Sequence, residues 1–347
     1  MRSAGFLFAV PALLAASLAL VLHDTRPASA APWGTGSDDP VLLVDVTYEA
    51  GDPLPASVLD RTPAVPSSSG AAYDAILASP MMQHPGFLSE VQRWVHFFET
   101  RSTRWFPGYL ERMTWFEDHV DDVLSQRGLP WSLRYLPVLE SGYSPTAVSS
   151  AEAVGLWQFM APTARDFGMR IDAVVDERRD PFKATDAAAR FLGQLYGDFD
   201  SWFLALASYN AGPHRIRGIL QRHAPGRATS DRLYWDVRQH LPQETRDFVP
   251  KFVAAMVIAS DPEAHGYRTP PKQPFAFDRI RVEPGTRLST VARAVGSSSA
   301  EIDRLNPEYL RGRTPSGGVT YVRVPVGSGE AVQGRSARGR RGDGTQP

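Results

Sequence analysis

The sequence predicts a mainly α-helical protein: a large all-helical domain over residues 86–268, then a small α+β module over 275–327. Three observations predict this. Apolar residues recur at helical spacing through most of 86–262. A proline-rich break from Thr269-Pro270-Pro271 to Pro274 closes that pattern. Beyond it come an alternating strand pattern, two short helical stretches and a second strand-like run, in that order. The chain has 347 residues, and at about 100–200 residues per domain it has room for two folded domains. An apolar share of 43% with 22% charged residues excludes whole-chain disorder and a multi-span membrane protein. Lys and Arg number 37 against 38 Asp and Glu, so no global field would hold nucleic acid, and no nucleic-acid partner is expected. Cysteine is absent, which excludes disulfides, thiol catalysis, cysteine-ligated zinc and a lipid on an N-terminal Cys.

Residues 1–30 read as a signal peptide. Arg2 precedes an uncharged apolar run from Ala4 to Leu22, and Ala28-Ser29-Ala30 has the small-x-small form of a cleavage site. Export to the periplasm or cell envelope follows. A membrane tether follows only if the segment is retained, since a run of about twenty apolar residues nears the length that spans a bilayer. Residues 31–85, rich in Pro, Gly, Ser and Asp, read as an extended linker with one apolar stretch, Val41 to Val46. From Gly86 to Gly128 two apolar stripes appear, Phe87, Val91, Trp94, Val95 and Phe98, then Leu110, Met113, Trp115, Phe116, Val120 and Val123. Further helices are expected at Trp131–Ser141, Ala161–Phe167, Thr185–Tyr196, Ser201–Asn210, Arg215–Gln221 and Thr245–Ile258. Gly212-Pro213 stops the fourth of these, and Asp180-Pro181 has the form of a helix cap with proline at the first position. In the second module, Phe277 to Val282 alternates, Leu288–Val295 and Ala300–Leu305 are helical, and Val319–Val326 closes as a strand. Residues 328–347 carry Arg335, Arg338, Arg340 and Arg341 with no apolar face to bury, and read as a disordered basic tail.

Common catalytic patterns are absent: no Walker loop, G-x-S-x-G elbow, H-E-x-x-H pair or dinucleotide glycine fingerprint. The eight histidines are scattered, so neither metal nor cofactor is expected. What remains is a set of carboxylates, amides and aromatics in three clusters: Leu136 to Tyr143, Gly155 to Met160, and Ser208 to Gly212. Glu140 ends an apolar helical stretch and is followed by Gly142. An apolar wall and the negative end of a helix both disfavour its charge, so it would keep a proton near neutral pH, ready for a glycosidic oxygen. An ordinary exposed Glu at a helix end is the plain alternative on position alone.

Leu129-Pro130, Glu140-Ser141, Ala153-Val154-Gly155-Leu156-Trp157-Gln158-Phe159-Met160, Asp176-Glu177-Arg178-Arg179-Asp180-Pro181, Tyr209-Asn210-Ala211-Gly212 and Leu241-Pro242-Gln243-Glu244-Thr245 occur in order. Together they resemble the lytic transglycosylase domain related to goose-type lysozyme, nearest its membrane-bound D-type subfamily, over roughly Leu129 to Gly266. Ser208 stands where that family usually has Ala, and Phe248 where Tyr is common. The resemblance implies a lysozyme-like helical catalytic domain acting on peptidoglycan glycan strands. Glu140 would be its catalytic acid and then base, Ser141, Gln158, Met160, Tyr209 and Asn210 would bind substrate, and Glu244 would join their network. It implies that the sugar's own acetamido group and C6 hydroxyl replace the second carboxylate of ordinary glycosidases, giving a 1,6-anhydromuramyl end. Glu152, Asp172, Asp176 and Glu177 are then structural, Met160 suits a sugar face or core equally, and Trp157 is a core residue. A lysozyme-type hydrolase and a non-catalytic cell-wall glycan-binding protein stay open as other readings. Val282 to Leu288, Val291-Ala292, Glu301 to Pro307 and Tyr321 to Pro325 resemble a degenerate LysM module, a glycan binder in its usual form.

Overall fold

The computed structural model describes residues 74–318 and 320–328. The signal peptide, most of the linker segment, Val319 and the basic tail beyond residue 328 lie outside the described residues.

The helical domain begins earlier than its periodicity suggests. Ile76 is fully buried, and Asp74 accepts hydrogen bonds from Ser132 N at 2.8 Å and Ile76 N at 3.0 Å. Residues 74–84, which composition places in the linker, therefore belong to this domain. Single anchors and one 3-10 turn, Pro80–Gln83, hold them, and so short a stretch offers no period to read. Helix α1 (Pro85–Arg101) buries Phe87, Val91, Trp94, Val95 and Phe98, and α2 (Phe106–Gln126) buries Leu110, Met113, Phe116 and Val120. The two stripes are thus two helices, parted at Ser102.

The expected single helix over Trp131–Ser141 is instead a 3-10 stretch, Trp131–Tyr135, followed by α3 (Leu136–Ser141). Pro137 sits in the first turn of α3, where its missing N–H costs nothing but where a continuing helix cannot pass. After α4 (Ala161–Asp166), α5 (Pro181–Phe199) starts at Pro181 because Asp180 caps it, accepting from Phe182 N at 2.9 Å and Lys183 N at 3.2 Å. Helix α6 (Trp202–Ala211) is buried on all sides from Trp202 to Ser208 and packs against α5, α7 (Pro213–His223) and α9 (Gln243–Ser260). Each large apolar side chain it buries contributes about 1.5–3 kcal/mol relative to exposure. Helix α8 (Asp231–Val237), capped by Ser230, has no counterpart in the sequence reading; two turns are too few for a periodic signal. Helix α9 lies along α1 and also receives α3, which brings the C-terminal end of α3 against it.

The C-terminal module pairs β1 (Asp278–Val282) antiparallel with β2 (Thr320–Val324), Ile280 opposite Val322, across α10 (Leu288–Val295) and α11 (Ser299–Leu305). Ile280, Leu288, Val291, Ile302, Val322 and Val324 form its core. The module is docked on the helical domain. Tyr309 bridges Val175, Leu310 N donates to Val174 O at 2.9 Å, and Asp176 N donates to Glu308 O at 2.9 Å. Arg323 reaches Asp180 at 2.5 Å and Glu308 at 3.0 Å, all three side chains being nearly buried. The proline-rich break is packed as well, with Phe275 N bonded to Trp115 O at 2.9 Å and its ring 4.9 Å from that of Phe116.

Candidate active site

The site grows from the end of α3. Gly142 caps it in the left-handed region with φ 57°, and a Cβ there would lie 2.2 Å from the Tyr109 ring. The turn leaves Glu140 on the last helical turn, 7% exposed, with no hydrogen bond to its carboxyl among the described residues. Burial pushes that carboxyl up to about 8, Glu244 adds repulsion in the same direction, and Lys251 opposes both. Glu140 therefore carries a proton at neutral pH.

Opposite stands a tight three-run turn. Val154 bridges both Val148 and Phe159, and Gly155 N donates to Ala147 O at 2.9 Å. Gly155 has φ 86°, and a Cβ there would sit 1.9 Å from Arg178 O, so only glycine fits. Arg178, buried and paired with Asp176 at 2.8 Å, donates to Phe159 O and Glu152 O, each at 3.1 Å. The Asp-Glu-Arg-Arg-Asp-Pro run is thus the staple of this turn. Asp172 and Glu177 are spent the same way, on Arg170 and on Arg170 N with Lys183. Trp157 is fully buried, its Nε1 donating to Thr185 Oγ1 at 2.9 Å.

The other residues singled out by sequence are placed as follows. Ser141 is buried, and its hydroxyl donates to Leu156 O at 2.8 Å and accepts from Ser144 N at 3.2 Å, so it ties α3 to the turn. Gln158, held at φ 49°, donates through Nε2 to Gly155 O at 3.0 Å, while its buried Oε1 has no hydrogen-bond partner among the described residues. Met160 is 43% exposed, an apolar side chain at the surface. Tyr209 donates to Trp157 O at 2.7 Å rather than to Glu140, and burial together with the nearby Glu140 carboxyl raises its phenol well above the usual range. Asn210 Nδ2 donates to Glu244 Oε1 at 3.0 Å and its Oδ1 accepts from Thr245 Oγ1 at 2.8 Å. Glu244 therefore both joins the network and stands in the first turn of α9. Ser208, the departure from the expected Ala, buries a hydroxyl with no partner among the described residues.

Sequence reasoning missed Lys251, 9% exposed in the middle of α9. Burial pulls its ammonium down to about 8, against Asp247, Glu244 and Glu140. Among the described residues no group of three or more His, Cys, Asp or Glu side chains is arranged to hold a metal ion. Nor is any helix of these residues long and apolar enough to cross a membrane.

A helical domain that ends a short helix on a buried, protonated glutamate, faced by a glycine-dependent turn, has matches among known proteins. Residues 124–227 match the transglycosylase SLT domain, and residues 276–340 match the LysM-like domain of lytic transglycosylase MltD. The chain thus carries an SLT domain followed by an MltD-type LysM-like domain. It is homologous to membrane-bound lytic murein transglycosylase D of Escherichia coli, 32% identical over 216 residues, which is 61% of this chain and 46% of that protein. The chain's match accordingly spans about half the length of that relative. Among solved structures, the 70 kDa soluble lytic transglycosylase of Escherichia coli aligns at TM-score 0.36 and 24% identity, over 43% of this chain and 24% of that one. The lytic transglycosylase Slt of Pseudomonas aeruginosa, solved as an inactive mutant, aligns at TM-score 0.35 and 25% identity, over 45% and 25% of the two chains.

Proposed function

We propose that this protein is an envelope lytic transglycosylase that cuts peptidoglycan glycan strands between N-acetylmuramic acid and N-acetylglucosamine, leaving 1,6-anhydromuramyl ends. The observation that carries this reading is the buried Glu140, pushed up to about 8 and so protonated where the enzyme would work. Its proton passes to the glycosidic oxygen as the bond from C1 to that oxygen breaks. The resulting carboxylate then takes the proton of the muramyl C6 hydroxyl as that oxygen bonds to C1, so no water is consumed and Glu140 ends as it began. The sugar's acetamido group stabilises the cationic centre between the two steps. A second carboxylate, which hydrolytic glycosidases require, has no task here.

The neighbouring residues fit supporting tasks. Gln158 Oε1, without a donor among the described residues, is an acceptor for an acetamido N–H. Met160 offers an exposed apolar surface to a sugar face. Tyr209 and Ser141 act by holding the turn in place through Trp157 O and Leu156 O, and Asn210 with Glu244 offers a hydrogen-bonded amide and carboxylate beside them. The SLT domain and the homology to a murein transglycosylase support the same substrate, and the LysM-like domain supports a second contact with the glycan. An exported location follows from the substrate and from the N-terminal pattern.

Mass spectrometry of muropeptides released from purified peptidoglycan tests the reading. Anhydro ends are expected from the parent, and Glu140→Gln should fall below about 1% of parental turnover, since general catalysis contributes about 100-fold or more. Hydrated ends would make the protein a hydrolase and point to Glu244, the carboxylate that acts on Glu140, as its second group. Binding without release would leave a glycan-binding protein.

A further inference from the structure

We propose that a cleft at the end of α6 remote from Tyr209 and Asn210 is a second saccharide site, taking one N-acetylhexosamine unit of the glycan. This rests on the reading of peptidoglycan as the substrate. The cleft encloses about 590 Å³ between residues 75–84, the junction of α5 with α6 at 196–202, and the entry to α8 at 229–232. None of the residues placed in the candidate active site lines it. Along α6 the step from Trp202 to Asn210 is about 12 Å, at about 1.5 Å per residue, so the cleft and the candidate active site lie at opposite ends of one helix.

The lining pairs flat apolar surface with hydroxyls. Tyr196 and Trp202 stack with ring centroids 4.5 Å apart and planes 16° from parallel, and the half-buried Tyr196 keeps part of its ring open. Ser79 Oγ accepts from Met81 N at 3.3 Å and Ser230 Oγ from Leu233 N at 3.2 Å, while neither hydroxyl proton has an acceptor among the described residues. Ser201 Oγ donates to Asp231 Oδ1 at 2.6 Å, and Asp231 Oδ2 has no hydrogen bond among the described residues. His84 Nδ1 accepts from Phe87 N at 3.3 Å, so in the neutral ring the proton is on Nε2, a further donor. Donors and an acceptor around a ring stack match a sugar, whose hydroxyl and acetamido groups bond at its edge while its C–H face makes dispersion contacts. The charges favour a neutral ligand over an ammonium or a phosphate. Asp231 is met by Ser201 and by Phe203 N at 3.3 Å, Arg232 is paired with Asp236 at 2.9 Å, and Asp200 is exposed to water.

The test is hydrogen–deuterium exchange, read by mass spectrometry, on the full chain carrying Glu140→Gln, titrated with the N-acetylglucosamine tetramer. Exchange should slow in 75–84 and 229–232 as well as in the turn at 147–160. Tyr196→Ala removes one ring of the stack, and Thr229→Trp, at an exposed position of the lining, fills the opening. In either variant the tetramer concentration giving half of the slowing at 75–84 should rise about fivefold or more, while that at 147–160 stays within about twofold. Melting curves report folding, and Thr229→Trp carries the test if Tyr196→Ala does not fold. Slowing at 147–160 alone overturns the proposal, as do folded variants that keep the parental midpoint at 75–84. If no segment responds to the tetramer while the parent chain releases anhydro muropeptides, the cleft site falls and the reading of the function stands. If no segment responds and nothing is released, that reading fails and the cleft site with it.

Discussion

At the scale of single residues, a glutamate that the fold keeps protonated costs stability at any pH where the unfolded chain would ionise it. Its folded pKa of about 8 stands above the ordinary 4.5, so between those values the folded chain binds more protons than the unfolded one. Stability from this group is therefore fully present below about pH 4.5 and lost as pH rises towards 8. Glu140→Gln removes that loss. The variant should melt close to the parent at pH 4 and above it at pH 8, by the equivalent of a few kcal/mol. A gap that stays constant across that range in thermal melts would show that burial does not hold the proton. Glu140 was legible through the ordered motifs that carry the family resemblance, since its place at an apolar helix end alone suits an ordinary exposed Glu better. Lys251 was not, because a lysine at helical spacing reads as a solvated face until α1 and α3 are seen to cover it. The partner of the Tyr209 hydroxyl was equally hidden, for Trp157 O lies 52 positions away and the carbonyl belongs to a turn with no periodic signature.

At the scale of elements, the turn from Ala147 to Met160 is the least forgiving part of the structure. A methyl group at Gly155 would need both a disfavoured φ and space already filled by Arg178 O. Gly155→Ala should cost about 3 kcal/mol or more, from strain of about 1–3 kcal/mol plus displacement of the Arg178 staple. Chemical denaturation measures the loss, and glycan turnover should drop with it; a variant as stable as the parent would mean that the turn yields easily. Long helices such as α1, α2 and α9 were readable from their stripes, and α5 from its cap. The bridges linking Val148, Val154 and Phe159 were not, since single-residue pairings leave no alternation to detect. Pro137 was visible in the sequence, but its consequence, a 3-10 entry into a six-residue α3, depends on how tightly that entry packs beneath α2 and α9.

At the scale of the whole molecule, Arg323 is the buried charge at the junction between the helical domain and the module. Its guanidinium, 11% exposed, joins Asp180 of the helical domain to Glu308 of the module and lies 5.0 Å from the Phe182 ring. Arg323→Met leaves two buried carboxylates facing each other and should cost about 3–5 kcal/mol. Calorimetry should show one transition for the parent and two for the variant, and an unchanged single transition would show that the backbone bonds and aromatic contacts hold the junction without Arg323. The order of strand, helix, helix, strand was legible because each piece carries its own pattern. The docking was not, because it joins residues far apart in sequence through single backbone bonds and one arginine. Asp180 thus does two jobs, capping α5 with one carboxylate oxygen and anchoring the module with the other. Recombination that exchanged this module at the proline-rich break would strand that second oxygen. A module grafted in its place would need its own arginine at the same strand position to meet that oxygen.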